Sequence, residues 1–204
     1  MHGGKIISLE GIHGVGKTTV APMLVARLRA EGFRIELCTD QTATETGRLV
    51  RQVNLKLLNR LDPTTETFLV SAARREAYVQ AVQPHLEAGA SVITERFLDA
   101  FFAFGRVRRT DPHLLDLIAQ FVADGRRPDL TILLDCPAHV ALARIPQGER
   151  HRVEREPMHF HEELREAYLA LARADAKRFE VINARKSPEA LVEETLPMIR
   201  AQLQ

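Results

Sequence analysis

A glycine-rich stretch near the start of the sequence carries the strongest chemical signal. Residues 11–19 read GIHGVGKTT and fit the pattern G-x-x-x-x-G-K-[ST], which is typical of a phosphate-binding P-loop. Glycines let backbone N–H groups turn toward an anion, and the positive end of a following helix adds to the attraction. In such a loop Lys17 reaches the β- and γ-phosphates of a nucleoside triphosphate, and the Thr18 hydroxyl ligates Mg²⁺. The predicted triphosphate-binding residues are Gly11, Gly14, Gly16, Lys17, Thr18 and Thr19.

The residues on either side of this loop predict the strand and the helix that a P-loop requires. Ile6, Ile7 and Leu9 form a short apolar run before it, and residues 19–29 carry apolar side chains at helical spacing after it. Further strands are predicted at 33–38, 91–94, 130–135 and 179–182, and helices at 47–60, 65–88, 111–123, 138–145, 160–176 and 188–203. This alternation predicts an α/β fold: a five-stranded parallel sheet with helices on both faces and all carboxyl ends beside the P-loop.

Length and composition limit the class of protein. The 204 residues, 45% of them hydrophobic, favour a single domain over residues 1–204. A formal net charge of +1 gives no global attraction to nucleic acid or an anionic membrane, and the absence of tryptophan with only two tyrosines disfavours an aromatic nucleic-acid platform. Cys38 and Cys136 lack metal-ligand spacing and are expected to be buried. Without an apolar signal region or a membrane-length apolar run, we expect a cytoplasmic protein.

Polar and charged residues follow several predicted strands, where ligands bind in open α/β sheets. Residues 40–46 form a polar loop after the second strand, and Glu95 and Arg96 end the third. The aromatic residues at 97–104 could stack on a ligand base, although core packing is the more common use of such residues. Residues 146–158 are poor in hydrophobes and mix acidic residues with Arg150, Arg152 and Arg155. This segment is either a mobile, basic lid or a solvated loop with internal ion pairs.

A series of short motifs along the chain resembles the thymidylate kinase family of nucleoside monophosphate kinases. Each motif is weak alone, but they occur in the family's order over nearly the whole chain. The matching positions are Glu10-Gly11, Lys17-Thr18-Thr19, Ala72-Ala73-Arg74, Glu95-Arg96-Phe97, residues 127–131, Leu134-Asp135, His151-Arg152-Val153-Glu154, Phe160, Arg165, Tyr168 and residues 181–184.

The resemblance implies phosphoryl transfer from ATP, with Mg²⁺, to the phosphate of a bound nucleotide. Such a reaction depends on positioning and charge neutralisation. By position Arg96 bridges the donor and acceptor phosphates, Glu95 acts on Mg²⁺ or a bound water, and Arg144 packs on adenine. The P-loop lacks the arginine that some relatives carry, so the resemblance assigns the transition-state cation to the lid and favours the lid interpretation of residues 146–158. The lid candidates are Arg150, Arg152 and Arg155.

On the acceptor side the resemblance implies that Arg74 presents two donors to a pyrimidine carbonyl. Four positions differ from the family's pattern. His13 stands where the family has an acidic residue that accepts a hydrogen bond from the sugar 3′-hydroxyl, and a neutral imidazole can still accept one. Thr42 is the nearest counterpart of an arginine for the acceptor phosphate, and Val70 replaces a phenylalanine that stacks on thymine. Gly105 replaces a polar residue after Phe104. The predicted acceptor-site residues are His13, Thr42, Val70, Arg74, Arg96, Phe97 and Phe104.

Three functions are therefore open from the sequence. The leading one is an ATP- and Mg²⁺-dependent kinase acting on dTMP or a related pyrimidine nucleotide, homodimeric by resemblance. The second is a related enzyme that phosphorylates a specialised metabolite at a phosphate or hydroxyl. The third is a nucleotide-binding regulator without chemistry, which the complete set of transfer residues disfavours.

Overall fold

A computed structural model describes residues 3–39, 41–56, 61–149 and 153–204 of the chain. Within these residues, the strands are β1 (Ile6–Glu10), β2 (Ile35–Thr39), β3 (Ser91–Glu95), β4 (Leu130–Asp135) and β5 (Phe179–Asn183). All five are parallel and form one sheet in the order β2-β3-β1-β4-β5. The predicted α/β fold with a five-stranded parallel sheet is confirmed.

Adjacent residues of β1 show how the sheet is covered on both faces. Successive side chains of a strand point to opposite faces. Ile7 packs into a core that contains Val20, Leu24 and other residues of the first helix, whereas Ile6 packs with Leu98 and neighbouring residues of a later helix. Both isoleucines are fully buried, which explains why the strand reads as a continuous apolar run rather than an alternating one.

The helices alternate with the strands as the sequence pattern predicts, although the helix Leu98–Val107 was not predicted and residues 57–60 of the predicted helix 47–60 lie outside the described residues. Apolar residues at helical spacing form the buried side of most of them. In the described part of the chain they are α1 (Lys17–Ala30), α2 (Glu45–Lys56), α3 (Pro63–Ala77), α4 (Gln83–Glu87), α5 (Leu98–Val107), α6 (Pro112–Val122), α7 (Ala138–Ala143), α8 (Met158–Ala174) and α9 (Pro188–Leu203). The last helix starts as predicted, because the Ser187 hydroxyl accepts a hydrogen bond from the Ala190 N–H.

Two predicted segments differ from the structure. The segment 40–46 is not a loop throughout: a 3₁₀ turn covers Gln41–Ala43, and α2 already begins at Glu45. The Thr44 hydroxyl accepts a hydrogen bond from the Gly47 N–H at 3.1 Å, which places a capping residue one position before the helix. The predicted helix over 65–88 is interrupted by a π-helical segment, Tyr78–Val82. Pro84 follows it and lacks the N–H that a regular turn would use, which favours a wider turn before it.

A buried ionic network ties α5 to the sheet and to the segment between α8 and β5. The Arg178 guanidinium donates to both carboxylate oxygens of Asp99, at 2.7 and 2.8 Å, and the Thr131 hydroxyl donates to the same carboxylate at 2.7 Å. The side chains of Arg178 and Asp99 are only 12% and 3% exposed. Removing one partner would leave the other as an uncompensated buried charge, so the network fixes where α5 lies on β4.

Cys38 and Cys136 are both buried and free, as expected. Burial raises the pKa of the Cys38 thiol to about 12. In the ranges that the structure describes, no helix combines the length and apolar character needed to cross a membrane.

Candidate active site

The loop between β1 and α1 is shaped by glycines that adopt left-handed backbone conformations. Gly14 has φ 82° and Gly16 has φ 101°. A Cβ on Gly14 would lie 2.1 Å from the carbonyl oxygen of Ala141, whereas a Cβ on Gly16 would meet no atom within 4 Å. The first glycine therefore permits close packing on α7, and the second leaves open space at the start of α1, where an anion binds most favourably.

Lys17 is held inside this loop by its own backbone. Its ammonium group donates to the carbonyl oxygens of Gly11 and Ile12, both at 2.8 Å, and the residue is only 7% exposed. The charge is therefore already positioned by loop carbonyls, which a phosphate oxygen can replace as acceptor.

Two oxygen-bearing side chains meet beside the loop. The Thr18 hydroxyl donates to the Glu95 carboxylate at 2.8 Å, which joins the start of α1 to the end of β3. Both residues line the same cavity. A hydroxyl and a carboxylate are hard oxygen ligands, and Mg²⁺ is commonly bound by one or two protein oxygens together with substrate phosphates. The pair therefore fits the predicted Mg²⁺ site.

Arg96 follows directly and adopts a strained backbone conformation. Its φ is 69°, which is uncommon for a residue other than glycine. The backbone N–H donates to the Leu9 carbonyl at 3.0 Å, and the guanidinium donates to the Gly11 carbonyl at 3.0 Å and to the Tyr168 hydroxyl at 3.1 Å. The Phe104 ring lies 5.9 Å from the guanidinium carbon. These contacts direct the charge toward the P-loop.

A fully buried carboxyl group supports this turn. Glu10 accepts hydrogen bonds from the Phe97 N–H at 2.6 Å and from the Ser8 hydroxyl at 2.8 Å. Burial, followed by the nearby charge of Asp99, raises the pKa of Glu10 above its usual value. Glu10 belongs to β1 and binds the backbone directly after Arg96, so it ties this turn to β1.

Lys17, Thr18, Glu95 and Arg96 line one cavity of about 820 Å³. Its lining runs from α9 and α7, past the P-loop, to α3 and α5. The end near α7 and α9 is lined by Arg144, Lys186, Pro188 and Leu191. The end near α3 and α5 is lined by Thr42, Arg51, Glu66, Val70, Arg74, Phe104, Gly105 and Arg108. A cavity of this size and composition is suited to small-molecule ligands on both sides of Lys17.

At the end of the cavity near α3 and α5, α5 packs very closely on α6. A Cβ on Gly105 would lie 2.5 Å from a methyl group of Leu115. This position therefore has no room for the polar side chain that the family's pattern carries here. Arg74 reaches the cavity from a buried position, with 5% of its surface exposed. The predicted pyrimidine-reading arginine is therefore a buried side chain that lines the cavity, while the residue after Phe104 contributes only backbone.

His13 faces the same space. Its pKa is lowered well below 6.5 by burial, then by the charges of Arg96 and Lys17. The Nε2 atom lies 3.6 Å from a carboxylate oxygen of Glu154, in the 3₁₀ turn Val153–Arg155. His13 is therefore neutral and contacts the segment predicted as a lid.

Most of the predicted site residues come together in this cavity, and a few lie elsewhere. The exceptions begin with Phe97, which is 3% exposed and packs 6.4 Å from Tyr78 in the core, so it is a packing residue rather than a cavity-lining one. Gly11 contributes its carbonyl oxygen to Lys17 and Arg96 rather than to the lining. Arg155 is exposed and does not line the cavity. Arg150 and Arg152 lie outside the described residues.

Several cavity residues were not predicted from the sequence. Arg51, Glu66, Arg108 and Lys186 line it, and so does Glu154. Glu154 belongs to the motif at 151–154, which did not mark it as a site residue, and the other four residues belong to no motif. Arg51 lies two turns into a helix that starts at the carboxyl end of β2. This position could have indicated that Arg51 belongs to the ligand site, because such helices begin beside the ligand.

Comparisons with known proteins agree with this geometry. A family model described as thymidylate kinase matches residues 9–195. A thymidylate kinase of Methylococcus capsulatus is 40% identical over 192 residues, which are 93% of this chain and 91% of the relative. A thymidylate kinase of Latilactobacillus sakei is 37% identical over 202 residues, covering 96% of this chain and 94% of the relative. One of Carboxydothermus hydrogenoformans is 35% identical over 190 residues, covering 92% and 93%.

Proposed function

Because the chain belongs to the thymidylate kinase family, we propose that it transfers the γ-phosphoryl group of ATP to dTMP, giving dTDP and ADP. The observation that carries this proposal is the continuous cavity that joins the P-loop to Arg74. It offers space for a triphosphate on one side of Arg96 and for a nucleoside monophosphate on the other. Phosphoryl transfer requires the two phosphates to be adjacent and in line.

The donor phosphates bind to the P-loop in this proposal. Backbone N–H groups at the start of α1 face the triphosphate, and Lys17 exchanges the carbonyl oxygens of Gly11 and Ile12 for phosphate oxygens. Arg144, Lys186 and Leu191 are placed to contact the base and ribose of ATP at the far end of the cavity.

Thr18 and Glu95 are the residues that would hold Mg²⁺. When bound, Mg²⁺ neutralises charge on the phosphates. In the described residues, no cluster of three or more acidic, histidine or cysteine side chains encloses a metal position. An open pair such as Thr18 and Glu95 suits an ion that keeps phosphate and water ligands.

Arg96 acts on the transferring group. An oxygen of the dTMP phosphate forms the new bond to the γ-phosphorus, while the bond from that phosphorus to the β,γ-bridging oxygen breaks and ADP leaves. The charge on the transferring oxygens is met by Lys17 and Arg96, whose guanidinium is held by Gly11 and Tyr168 before substrate arrives. A lid arginine is the further cation that the family resemblance assigns, with Arg150, Arg152 and Arg155 as candidates.

A coupled assay of ADP release tests this function. The purified full chain is expected to release ADP with dTMP and ATP, and to turn over dUMP, dCMP and ribonucleotide monophosphates more slowly because Arg74 and Phe104 shape the acceptor end. The Lys17→Ala variant is expected to lose about 100-fold or more of kcat while keeping a folded circular dichroism spectrum, because it removes preorganised charge stabilisation. Absence of dTMP turnover by the wild-type chain would refute the proposal.

We propose that the protein is a homodimer formed through α3 and α6. We also propose that it is located in the cytoplasm. These two helices pack together and expose Phe68, Leu117 and Phe121, of which 52%, 53% and 71% of the surface is accessible. Large exposed apolar residues on neighbouring helices are typical of a buried interface. Sedimentation analysis is expected to give a dimer for the wild type and a monomer for Phe121→Asp. A monomeric wild type would refute this assembly.

A further inference from the structure

The contact between His13 and Glu154 leaves polar atoms unsatisfied inside the cavity. His13 Nε2 and Glu154 Oε1 are 3.6 Å apart, and the two side chains are 23% and 11% exposed. His13 Nδ1 and Glu154 Oε2 are both buried and make no hydrogen bond within the protein. Both residues line the cavity. Buried polar atoms without partners are rare, and they favour a ligand that supplies the partner.

The contact is neither an ion pair nor a direct hydrogen bond. Burial and the charges of Arg96 and Lys17 hold the pKa of His13 well below 6.5, so the ring is neutral. A separation of 3.6 Å is too long for a good N–H···O bond. The carboxylate therefore faces an imidazole that it does not fully satisfy, in a position shielded from solvent.

A hydroxyl group is the ligand chemistry that matches this pair. A carboxylate only accepts hydrogen bonds, whereas a neutral imidazole donates from one nitrogen and accepts at the other. A hydroxyl can donate to Glu154 and accept from His13 at the same time. A phosphate or carboxylate of the ligand would instead be repelled by Glu154.

We propose that Glu154 and His13 together bind a sugar hydroxyl of the acceptor, so that Glu154 is a specificity-determining residue. This proposal rests on the proposed function. dTMP has a single sugar hydroxyl, at the 3′ position. The carboxylate that binds this hydroxyl comes from the turn Val153–Arg155. It does not come from the P-loop, where His13 stands in place of the family's acidic residue.

The location of Glu154 links substrate recognition to the predicted lid. Val153 is partly buried and packs against the main core, so the turn is anchored on one side. The His13 ring also contacts Phe104, with ring centres 6.2 Å apart in an edge-on arrangement. A hydroxyl bound between His13 and Glu154 would add a contact between the P-loop and this turn.

A comparison of dTMP with 3′-deoxy-dTMP tests the proposal. The wild-type chain is expected to prefer dTMP in kcat/KM by between about 10-fold and about 100-fold, the range for one hydrogen bond to a charged group. In Glu154→Ala the preference is expected to fall to about 3-fold or less, because the analogue no longer leaves a buried carboxylate unsatisfied. The double variant with His13→Glu and Glu154→His keeps one carboxylate and one imidazole, and is expected to recover most of the preference.

The matched control is Glu163→Ala, which removes a carboxylate of the exposed pair with Arg109, outside the cavity. It is expected to keep the wild-type preference. Thermal unfolding shows whether each variant is folded. Equal kcat/KM for the two nucleotides in the wild type, or an unchanged preference in folded Glu154→Ala, would overturn the proposal.

Binding measured by calorimetry without ATP separates this inference from the proposed function. If dTMP is bound but not phosphorylated, the proposed function fails, and the affinity ratio of the two nucleotides still judges the inference. Tighter binding of dTMP than of 3′-deoxy-dTMP supports it. Equal affinities, or no binding of either nucleotide, would refute it.

Discussion

Replacing Gly14 by alanine is expected to lower the stability of the fold much more than the same replacement at Gly16. Both positions have positive φ angles, of 82° and 101°, and a left-handed conformation costs about 1–2 kcal/mol for an alanine. Their surroundings differ. The added Cβ at Gly14 would lie 2.1 Å from the Ala141 carbonyl oxygen, so backbone must move, whereas the Cβ at Gly16 enters open space.

Overpacking of this kind adds about 1–3 kcal/mol, which brings the expected total for Gly14→Ala to about 2–5 kcal/mol. Gly16→Ala is expected to lower the free energy of unfolding only by the cost of the left-handed conformation, about 1–2 kcal/mol. Its Cβ projects into the space proposed for the triphosphate, so its larger effect is expected on the KM for ATP.

Urea unfolding followed by circular dichroism gives the free energy of unfolding of both variants, and steady-state assays give the KM for ATP. Since both replacements change the unfolded chain equally, its contribution cancels in the comparison. Unfolding free energies that agree within about 0.5 kcal/mol would refute the packing argument, since additive effects are reproducible to about this level.

Three further perturbations follow from the structure. Arg178→Ala is expected to lower the free energy of unfolding by about 3–5 kcal/mol in urea titrations, because it leaves the charge of Asp99 buried without its partner. Because the folded-state pKa of His13 lies below 6.5, its contribution to stability is present above that pH and is lost as the pH falls. His13→Gln is therefore expected to reduce the fall in stability between pH 7 and pH 5, by up to about 1.4 kcal/mol per pH unit. Arg51→Gln is expected to raise the KM for dTMP about 10-fold with little change in kcat, as judged by steady-state kinetics.

Each of these predictions has a matched control. Arg200→Ala breaks a more exposed pair with Glu31, and should lower the free energy of unfolding much less than Arg178→Ala does. His113→Gln changes an exposed histidine outside the cavity and is the control for the loss of an imidazole. Arg48→Gln lies on the same helix as Arg51 but does not line the cavity, and should keep the KM for dTMP. Equal effects in any variant and its control would contradict the corresponding reasoning.

The strands and the P-loop were predictable from the sequence because their signals are local. A buried parallel strand is a run of apolar residues, and the loop is marked by its glycines and by Lys17. The start of α2 was missed because its first turn is as polar as a loop, although Thr44 is a capping residue. The π-helical segment before Pro84 was missed because apolar periodicity does not register one wider turn.

The candidate site was predictable only where a motif marks the residue. Whether a side chain lines the cavity depends on tertiary packing, which the motif does not contain. Phe97 follows Arg96 in the chain, but the unusual backbone of that arginine turns the next ring into the core. Conversely, Arg51 reaches the cavity from a segment that no motif marks, and the motif at 151–154 did not identify Glu154 as a cavity residue. The contact of Glu154 with His13 joins residues 141 positions apart, and no local pattern indicates it.

The hydrogen bond from Arg96 to Tyr168 gives the protein an intrinsic optical reporter. The chain has no tryptophan and only two tyrosines, so its near-ultraviolet emission comes from Tyr78 and Tyr168. Tyr168 is 1% exposed, and its hydroxyl accepts from the guanidinium proposed to engage the transferring phosphate. A ligand that draws Arg96 toward the P-loop would change the environment of that phenol. Tyrosine fluorescence can therefore follow occupancy of the site without an added label, and Tyr168→Phe identifies the contribution of this residue.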